Sequence, residues 1–382
     1  DQREGNWSEG LVTYLADYLL KERRSTTEGR EYRLQLLTDY AVLVAADNDF
    51  PLSGFISRTD PASRSIGYGK GAMVFHMIRT EIGDRAFFRA LQEICRDRLY
   101  RPATWGDFER AFSRSSGRDL SSFMKQWLMR SGGPRLAFSK VTRLRAGAGW
   151  RVSGTVEQTP PFYELRLPLR LETDGSPVLT LLPVNHGLTP FSIYSPTEPW
   201  HLLLDPDVEK FRILAPGEIP VTVNSIKASK QLLVVRTDSC LSDGEAFRIL
   251  LESLGKGKVA VIGEDELDAA RIRGHDLLFC GIPKIRSLLP PLPAGITLHD
   301  AGFSINEDAV HAPDGLLFLV MKSTYPAGRV AALFQPLSAA AAEQYAPKIT
   351  HYGKYGTLVF TGGTIRHKDT IHPSAVESAV VF

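Results

Sequence analysis

Hydrophobic and polar positions follow three different rhythms along this chain. Up to about residue 132 the apolar residues recur roughly every three to four positions. Leu11, Tyr14, Leu15, Tyr18 and Leu19 form one such stripe, and Leu34, Leu37, Ala41 and Val44 a second. Met73, His76 and Met77 form a third, and Phe87, Leu91 and Ile94 a fourth. That spacing lays one face of an α-helix against a core. The stretch DLSSFMKQWLMRSGGP ends the series. Asp119 is placed to cap, Phe123, Trp127 and Leu128 make a face, and Gly132, Gly133 and Pro134 stop the helix.

The period then falls to two. In YELRLPLRLET, Tyr163, Leu165, Leu167, Leu169 and Leu171 alternate with Glu164, Arg166, Arg170 and Glu172. Trp150, Val152 and Val156 alternate with Arg151, Ser153 and Glu157. Such alternation predicts strands with one buried face. Gly and Pro punctuate these strands as in a small β-sandwich, with PWHLLLDPDVEKFRIL as its last strand and exit. LAPGEIPVTV, with Pro216, Gly217 and Pro220, reads as a linker.

From about Lys227 the strands become uninterrupted apolar runs: LLVV, VAVI, DLLFC, LLFLVM, RVAALF and TLVF. Runs of this kind suit strands buried on both faces of an α/β sheet. Between the first two, Ser242 and Glu245 have the spacing of a capping box, and Phe247, Leu250, Leu251 and Leu254 form a stripe that Gly255 ends. The expected chain is multidomain: an α-helical region over 1–133, a β-sandwich over 134–220, and a small α/β module with a mostly parallel sheet over 227–382.

Composition narrows the function classes. A length of 382 residues suits two to four domains. A net charge of +2 argues against a large nucleic-acid footprint, which needs a strongly basic face. No apolar run is long enough to cross a membrane as a helix. Cys95, Cys240 and Cys280 are too few and too scattered for a disulfide framework or a cysteine zinc site, so each is expected to be a small buried hydrophobe, with Cys240 and Cys280, which both end expected strands, as candidate neighbours at one sheet edge. Compartment and oligomeric state stay open.

Two short stretches carry candidate chemistry. In GNWSEG, Asn6 and Glu9 have the spacing of an N-cap and its reciprocal carboxylate, the ordinary reading of an acidic first turn. In SIGYGKGAMVFHMIRTEIG, Tyr68 stands at the entrance of a helix among Gly67, Gly69 and Gly71. In this order and at this separation the two stretches resemble the M1 family of zinc metallopeptidases, the gluzincin aminopeptidases. In that family an HExxH helix supplies two zinc-binding histidines and a general base. A W-x-x-E-G helix then supplies the third ligand, and a Y-x-K-G-A stretch supplies a tyrosine that binds the oxyanion. Trp7, Glu9 and Gly10 resemble the first of these, with one residue fewer between Trp and Glu. Tyr68, Lys70, Gly71 and Ala72 match the second. Trp127, Gly132 and Pro134 stand where the family closes its thermolysin-like catalytic domain, and a β-sandwich follows there too. The resemblance covers about residues 1–220.

The resemblance implies that Glu9 is a zinc ligand and Tyr68 the oxyanion donor of an enzyme that hydrolyses N-terminal peptide bonds. The residue types suit that work. A catalytic zinc has three protein ligands and an open position for water, and phenol is a sound donor because it stays protonated at neutral pH. The chain nevertheless contains no HExxH among its nine histidines. It is therefore expected to be the C-terminal portion of such an aminopeptidase, with zinc and peptide substrate bound only by the full-length parent and no activity on its own. The alternative is a non-catalytic binding or scaffold protein on an M1-derived platform, with the α/β module as its binding part. His76, among the apolar residues of AMVFHMI, reads as a hydrogen-bonded core histidine. Gly362 and Gly363 read as a tight turn, and HYGKY (His351 to Tyr355) as a polar rim. A separate enzyme in the α/β module would need an open polar cleft at its strand C-terminal ends.

Overall fold

The computed structural model describes residues 6–241, 244–293, 295–299, 302–306, 308–311, 313–323, 328–370 and 378–382. The chain divides into two units, Asp1–Ile219 with Ser374–Phe382, and Pro220–Pro373.

The first unit has a helical N-terminal region followed by β-sheets. α1 (Ser8–Val12) passes into a π-helical stretch, Thr13–Tyr18, and continues as α2 (Leu19–Arg24). Tyr14, Tyr18 and Leu19 are buried as their stripe predicts, whereas Leu15 is 36% exposed. The wide π turn takes these positions out of phase with the roughly 3.6-residue repeat from which the stripe was read. α3 (Thr26–Leu43) is capped by the Ser25 side chain, which accepts from the Glu28 amide. α4 (Pro61–Arg64) leads through a second π stretch, Ser65–Lys70, into α5 (Gly71–Ile82). α6 (Asp84–Arg98), α7 (Trp105–Ser116) and α8 (Ser121–Met129) complete the helical part.

Six strands follow: β1 (Arg135–Ala146), β2 (Gly149–Thr159), β3 (Leu165–Thr173), β4 (Val178–Val184), β5 (Leu188–Ser195) and β6 (Pro199–Leu204). One sheet runs β1-β2-β5 and the other runs Ala379–Val381, β6, β3, β4, with every pair antiparallel. In β3, Leu165, Leu167, Leu169 and Leu171 are all buried, so the period-two pattern is realised there. The stretch PWHLLL does not end this sheet: the C-terminal strand adds to it, with Val380 opposite Leu202. Helices and both sheets share one apolar core, from Tyr14 and Phe75 through Trp127 to Leu167 and Phe211.

In the second unit, α9 (Val223–Ala228) precedes β7 (Leu232–Arg236), α10 (Gly244–Ser253), β8 (Val261–Gly263), α11 (Ala269–Gly274) and β9 (Asp276–Cys280). A small antiparallel meander follows, β10 (Ile296–His299), β11 (Gly302–Ile305) and β12 (Asp308–His311). Then come β13 (Leu316–Lys322), β14 (Val330–Pro336), α12 (Ala339–Tyr345), β15 (Thr357–Thr361) and β16 (Thr364–Asp369). The main sheet has the order β16-β15-β13-β14-β9-β7-β8. Its faces are both covered: Leu232, Val234, Phe318 and Phe334 pack under α10 and α12, while Leu233, Val235, Leu317 and Leu333 pack with Phe303 and Val310 of the meander.

Three expectations for this region are corrected. The sheet is mixed, not mostly parallel: β7–β8, β7–β9 and β9–β14 are parallel, and β13–β14, β13–β15 and β15–β16 antiparallel. LLFLVM and RVAALF are too close in sequence for a parallel crossover, which needs about a dozen residues, so they form a hairpin. VAVI is a short edge strand with Val261 51% exposed. Cys240 and Cys280 are joined in a disulfide with Cα atoms 5.1 Å apart, and Cys95 is exposed. The pairing follows from topology, since β7 lies beside β9 with Arg236 opposite Cys280. The α10 stripe Phe247, Leu250, Leu251 and Leu254 is buried, and Gly255 at φ +72° ends it. Ser242, the expected cap partner of Glu245, lies outside the described residues. Among the described residues no helix is long and apolar enough to cross a membrane.

Candidate functional site

Glu9 and Tyr68 meet where two helices cross without side chains between them. A Cβ on Gly10 would come within 2.7 Å of the Gly71 carbonyl carbon, and a Cβ on Gly71 within 3.0 Å of the Gly10 Cα. Only glycine at both positions lets the backbones approach this closely. The start of α1 is fixed from two sides. The Trp7 indole N–H donates to the Ala103 carbonyl at 2.7 Å, and the Asn6 amide to the Ser53 carbonyl at 2.7 Å. The expected Asn6 cap is not made: the N-cap position of α1 is Trp7, and Asn6 turns to Ser53 through its Nδ2 while its Oδ1 has no hydrogen-bond partner. That leaves Glu9 half-buried in the first turn with no reciprocal capping partner.

Tyr68 lies in the π stretch Ser65–Lys70. Phe55 stands edge-on to its ring at 6.0 Å and packs so tightly on Gly67 that a Cβ there would meet it at 2.3 Å. The Tyr68 hydroxyl faces the Glu9 carboxylate closely enough for the two to interact. Partial burial, then the nearby Glu9 carboxylate, raise the phenol above its ordinary pKa, while Arg58 and Arg64 pull it down. The phenol is thus a protonated donor at neutral pH. The structure brings together the two residues singled out in sequence, one carboxylate acceptor beside one phenolic donor.

Lys70 ties this crossing to the third landmark. Its amine is fully buried and donates to the Arg130 carbonyl at 2.7 Å and the Gly132 carbonyl at 2.9 Å. Burial draws its pKa down to about 8, against the charge of Asp49. The Phe211 ring lies 5.5 Å away, and Trp127 packs on Phe211 and Tyr163. Sequence reasoning missed this role for Lys70; its place between two helix-opening glycines was the available signal. A buried ionic network was also missed. Arg33 bonds Tyr18 and Glu209, Arg79 bonds Glu22 at 2.5 Å, and His76 Nε2 lies 3.0 Å from Glu209 Oε2. His76 is the hydrogen-bonded core histidine expected, with burial lowering its pKa.

The other candidates are consumed internally. Gly362 and Gly363, at φ +59° and +76°, form the two-residue turn between β15 and β16. Their amides donate to Asp314 at 2.6 Å and to the Tyr345 hydroxyl at 2.8 Å, which leaves no phosphate cradle. At HYGKY, Lys368 lies 5.6 and 5.3 Å from the Tyr352 and Tyr355 rings. The ends of β7 and β9 are laced shut by the disulfide, by Thr237 donating to the Cys280 carbonyl, and by Ser239 donating to the Ile282 carbonyl. Among the described residues no three His, Cys, Asp or Glu side chains are grouped to hold a metal. A catalytic zinc takes three protein ligands, so these residues do not by themselves fit one.

Comparison with known proteins covers the helical region that holds Glu9 and Tyr68. The peptidase family M1 domain matches residues 6–127. This segment belongs to peptidase family M1. It takes in Glu9, Tyr68, Lys70 and Trp127. Aminopeptidase N of Lactococcus lactis subsp. lactis is 39% identical over 70 residues, 18% of this chain and 8% of that protein. Probable aminopeptidase 2 of Sulfurisphaera tokodaii is 35% identical over 69 residues, 18% of this chain and 9% of that protein. Leucyl aminopeptidase of Saccharolobus solfataricus is 30% identical over 119 residues, 31% of this chain and 15% of that protein. The M1 segment thus spans a small part of the relatives it matches. The structure of Legionella pneumophila aminopeptidase A in complex with aspartic acid aligns with 71% of this chain and 30% of its own, at 19% identity and a TM-score of 0.38, a likeness too low to bear on fold or function.

Proposed function

We propose that this chain carries part of the catalytic domain of a zinc-dependent M1 aminopeptidase, a hydrolase of N-terminal peptide bonds. Glu9 is one metal-ligating carboxylate of the whole protein's site, and Tyr68 the donor to the oxyanion formed at the scissile carbonyl. The observation that carries this reading is that Glu9 and Tyr68 are brought together at the Gly10–Gly71 crossing, inside the M1 segment. The remaining metal ligands come from outside the described residues, so the described residues alone neither hold zinc tightly nor hydrolyse peptides. What these residues do is hold and orient. The crossing fixes Glu9, and the π stretch aims a protonated phenol beside it. The phenol gives its hydrogen bond where negative charge develops and costs no reorganisation at that moment.

The test is hydrolysis of aminoacyl p-nitroanilides by the whole protein. Tyr68→Phe should lower kcat/KM by about a hundred- to a thousandfold, mainly through kcat, because a donor to the oxyanion acts in the transition state. Wild-type rates in Tyr68→Phe, or no hydrolysis by the whole zinc-loaded protein, would overturn the reading in favour of a non-catalytic M1-derived scaffold.

A further inference from the structure

A cleft of about 780 Å³ opens in the first unit beside the end of α5, the start of α8, and strands β3 and β4. Its volume lies within the roughly 300–1,000 Å³ of small-molecule sites. Its accessible apolar lining is Phe123 and Met129, with Met77, Leu120, Trp127 and Val184 buried behind them. The lining also carries an imbalance of charge centred on Glu81. Lys210 Nζ lies 3.3 Å from Glu81 Oε1, while Arg118 and Arg166 lie 3.4 and 3.9 Å from Oε2. The Glu81 and Lys210 side chains are only 13% and 7% exposed. Lys125 and Arg130 also line the cleft, against Asp119 and Glu164, so five cations face three carboxylates. Of these, Asp119 already accepts from the Ser121 amide.

A purely structural role accounts for one of the three cations around Glu81. Arg118 donates to the Glu81 backbone carbonyl in the last turn of α5, where a cation complements exposed carbonyls. It does not account for a buried lysine and a second arginine on the same carboxylate. Guanidinium groups carry more donors than one carboxylate can use, and they suit planar anions.

We propose that this cleft binds a small amphipathic carboxylic acid. Its carboxylate sits among Arg118, Arg166 and Lys210, in the manner of Glu81, and its apolar body lies along Phe123 and Met129. The inference is independent of the proposed peptidase activity.

The experiment is calorimetric titration of the full chain with 4-phenylbutyrate, alongside 4-phenylbutanol and 4-phenylbutylamine. One molecule of the acid should bind per chain. The alcohol should bind at least about tenfold more weakly, the loss of a charge-assisted contact, and the amine not at all. Arg166→Gln should weaken the acid by about tenfold, with Arg166→Lys retaining part of the affinity. Arg166 is half-exposed, and an unchanged melting temperature verifies that its variants fold. The proposal is overturned if the acid does not bind at millimolar concentration, if the alcohol binds equally well, or if Arg166→Gln leaves the acid's affinity unchanged.

Discussion

Each unit of this protein sets a tyrosine hydroxyl near a carboxylate, and the two pairs stand in different surroundings. In the second unit Tyr345 is fully buried and donates to Asp314 at 2.5 Å while accepting from the Gly363 amide. Asp314 in turn receives the Gly362 amide. Those contacts pin α12 to the β15–β16 turn. In the first unit Tyr68 and Glu9 are both half-buried, neither side chain braces a turn, and backbone contact at Gly10 and Gly71 does the structural task instead. Side chains relieved of holding the fold together are available to a ligand. The contrast separates the proposed site from a brace even though the residue types are alike.

The largest expected difference is between the two tyrosines. In the whole protein Tyr68→Phe removes about two to three orders of magnitude of kcat/KM and leaves stability nearly unchanged, whereas Tyr345→Phe lowers stability by about 1–2 kcal/mol and leaves kcat/KM within twofold. Urea unfolding beside the p-nitroanilide assay reads both. Equal effects of the two variants on rate would erase the distinction. The disulfide comes next. Cys240→Ser with Cys280→Ser opens a link between residues 40 apart and should cost the second unit about 2–4 kcal/mol, measured by denaturant unfolding. Hydrolysis of p-nitroanilides by the whole protein should not respond.

Lys70 gives a pH signature of nearly the same size. Its folded-state pKa of about 8 lies below the unfolded value near 10.4, so between those pH values the unfolded chain binds more protons. Stability should rise through that window by about 3 kcal/mol, the burial penalty being fully present below pH 8. Lys70→Met should flatten the slope in unfolding curves taken from pH 7.5 to 10.5. An unchanged slope would mean that the amine is not held in low dielectric. The smallest effects come from glycines. Gly10→Ala forces a Cβ to 2.7 Å of backbone and should cost about 1–3 kcal/mol together with a fall in rate. Gly363→Ala meets nothing closer than 3.5 Å and should cost about 1 kcal/mol of left-handed strain with no change in rate. A Gly10→Ala enzyme with wild-type rate would show that the crossing does not position Glu9.

What was legible in the sequence was local. The alternation of β3, the stripe of α10 and the apolar runs of β7, β9, β13, β14 and β15 each follow from periods of a few residues. Glu9 and Tyr68 were legible because short motifs carried them, not because their contact could be foreseen. What escaped reading depends on partners far along the chain. Asn6 has a capping pattern, but its amide finds Ser53, 47 residues away. Nothing local announces a π turn at Thr13–Tyr18 or Ser65–Lys70. The Cys240–Cys280 pairing needs the parallel neighbourhood of β7 and β9. The four-residue strands of the meander are too short for any period to declare itself. The return of Ala379–Val381 to the sheet of β6 is also a matter of topology alone.

The central claim is that Glu9 is a metal ligand and not a helix cap. Zinc content of the dialysed whole protein tests it most directly. The account predicts about one zinc per chain in the wild type and far less in Glu9→Gln, with the fold and melting of Glu9→Gln otherwise intact. Full zinc occupancy in Glu9→Gln, or none in the wild type, would contradict it.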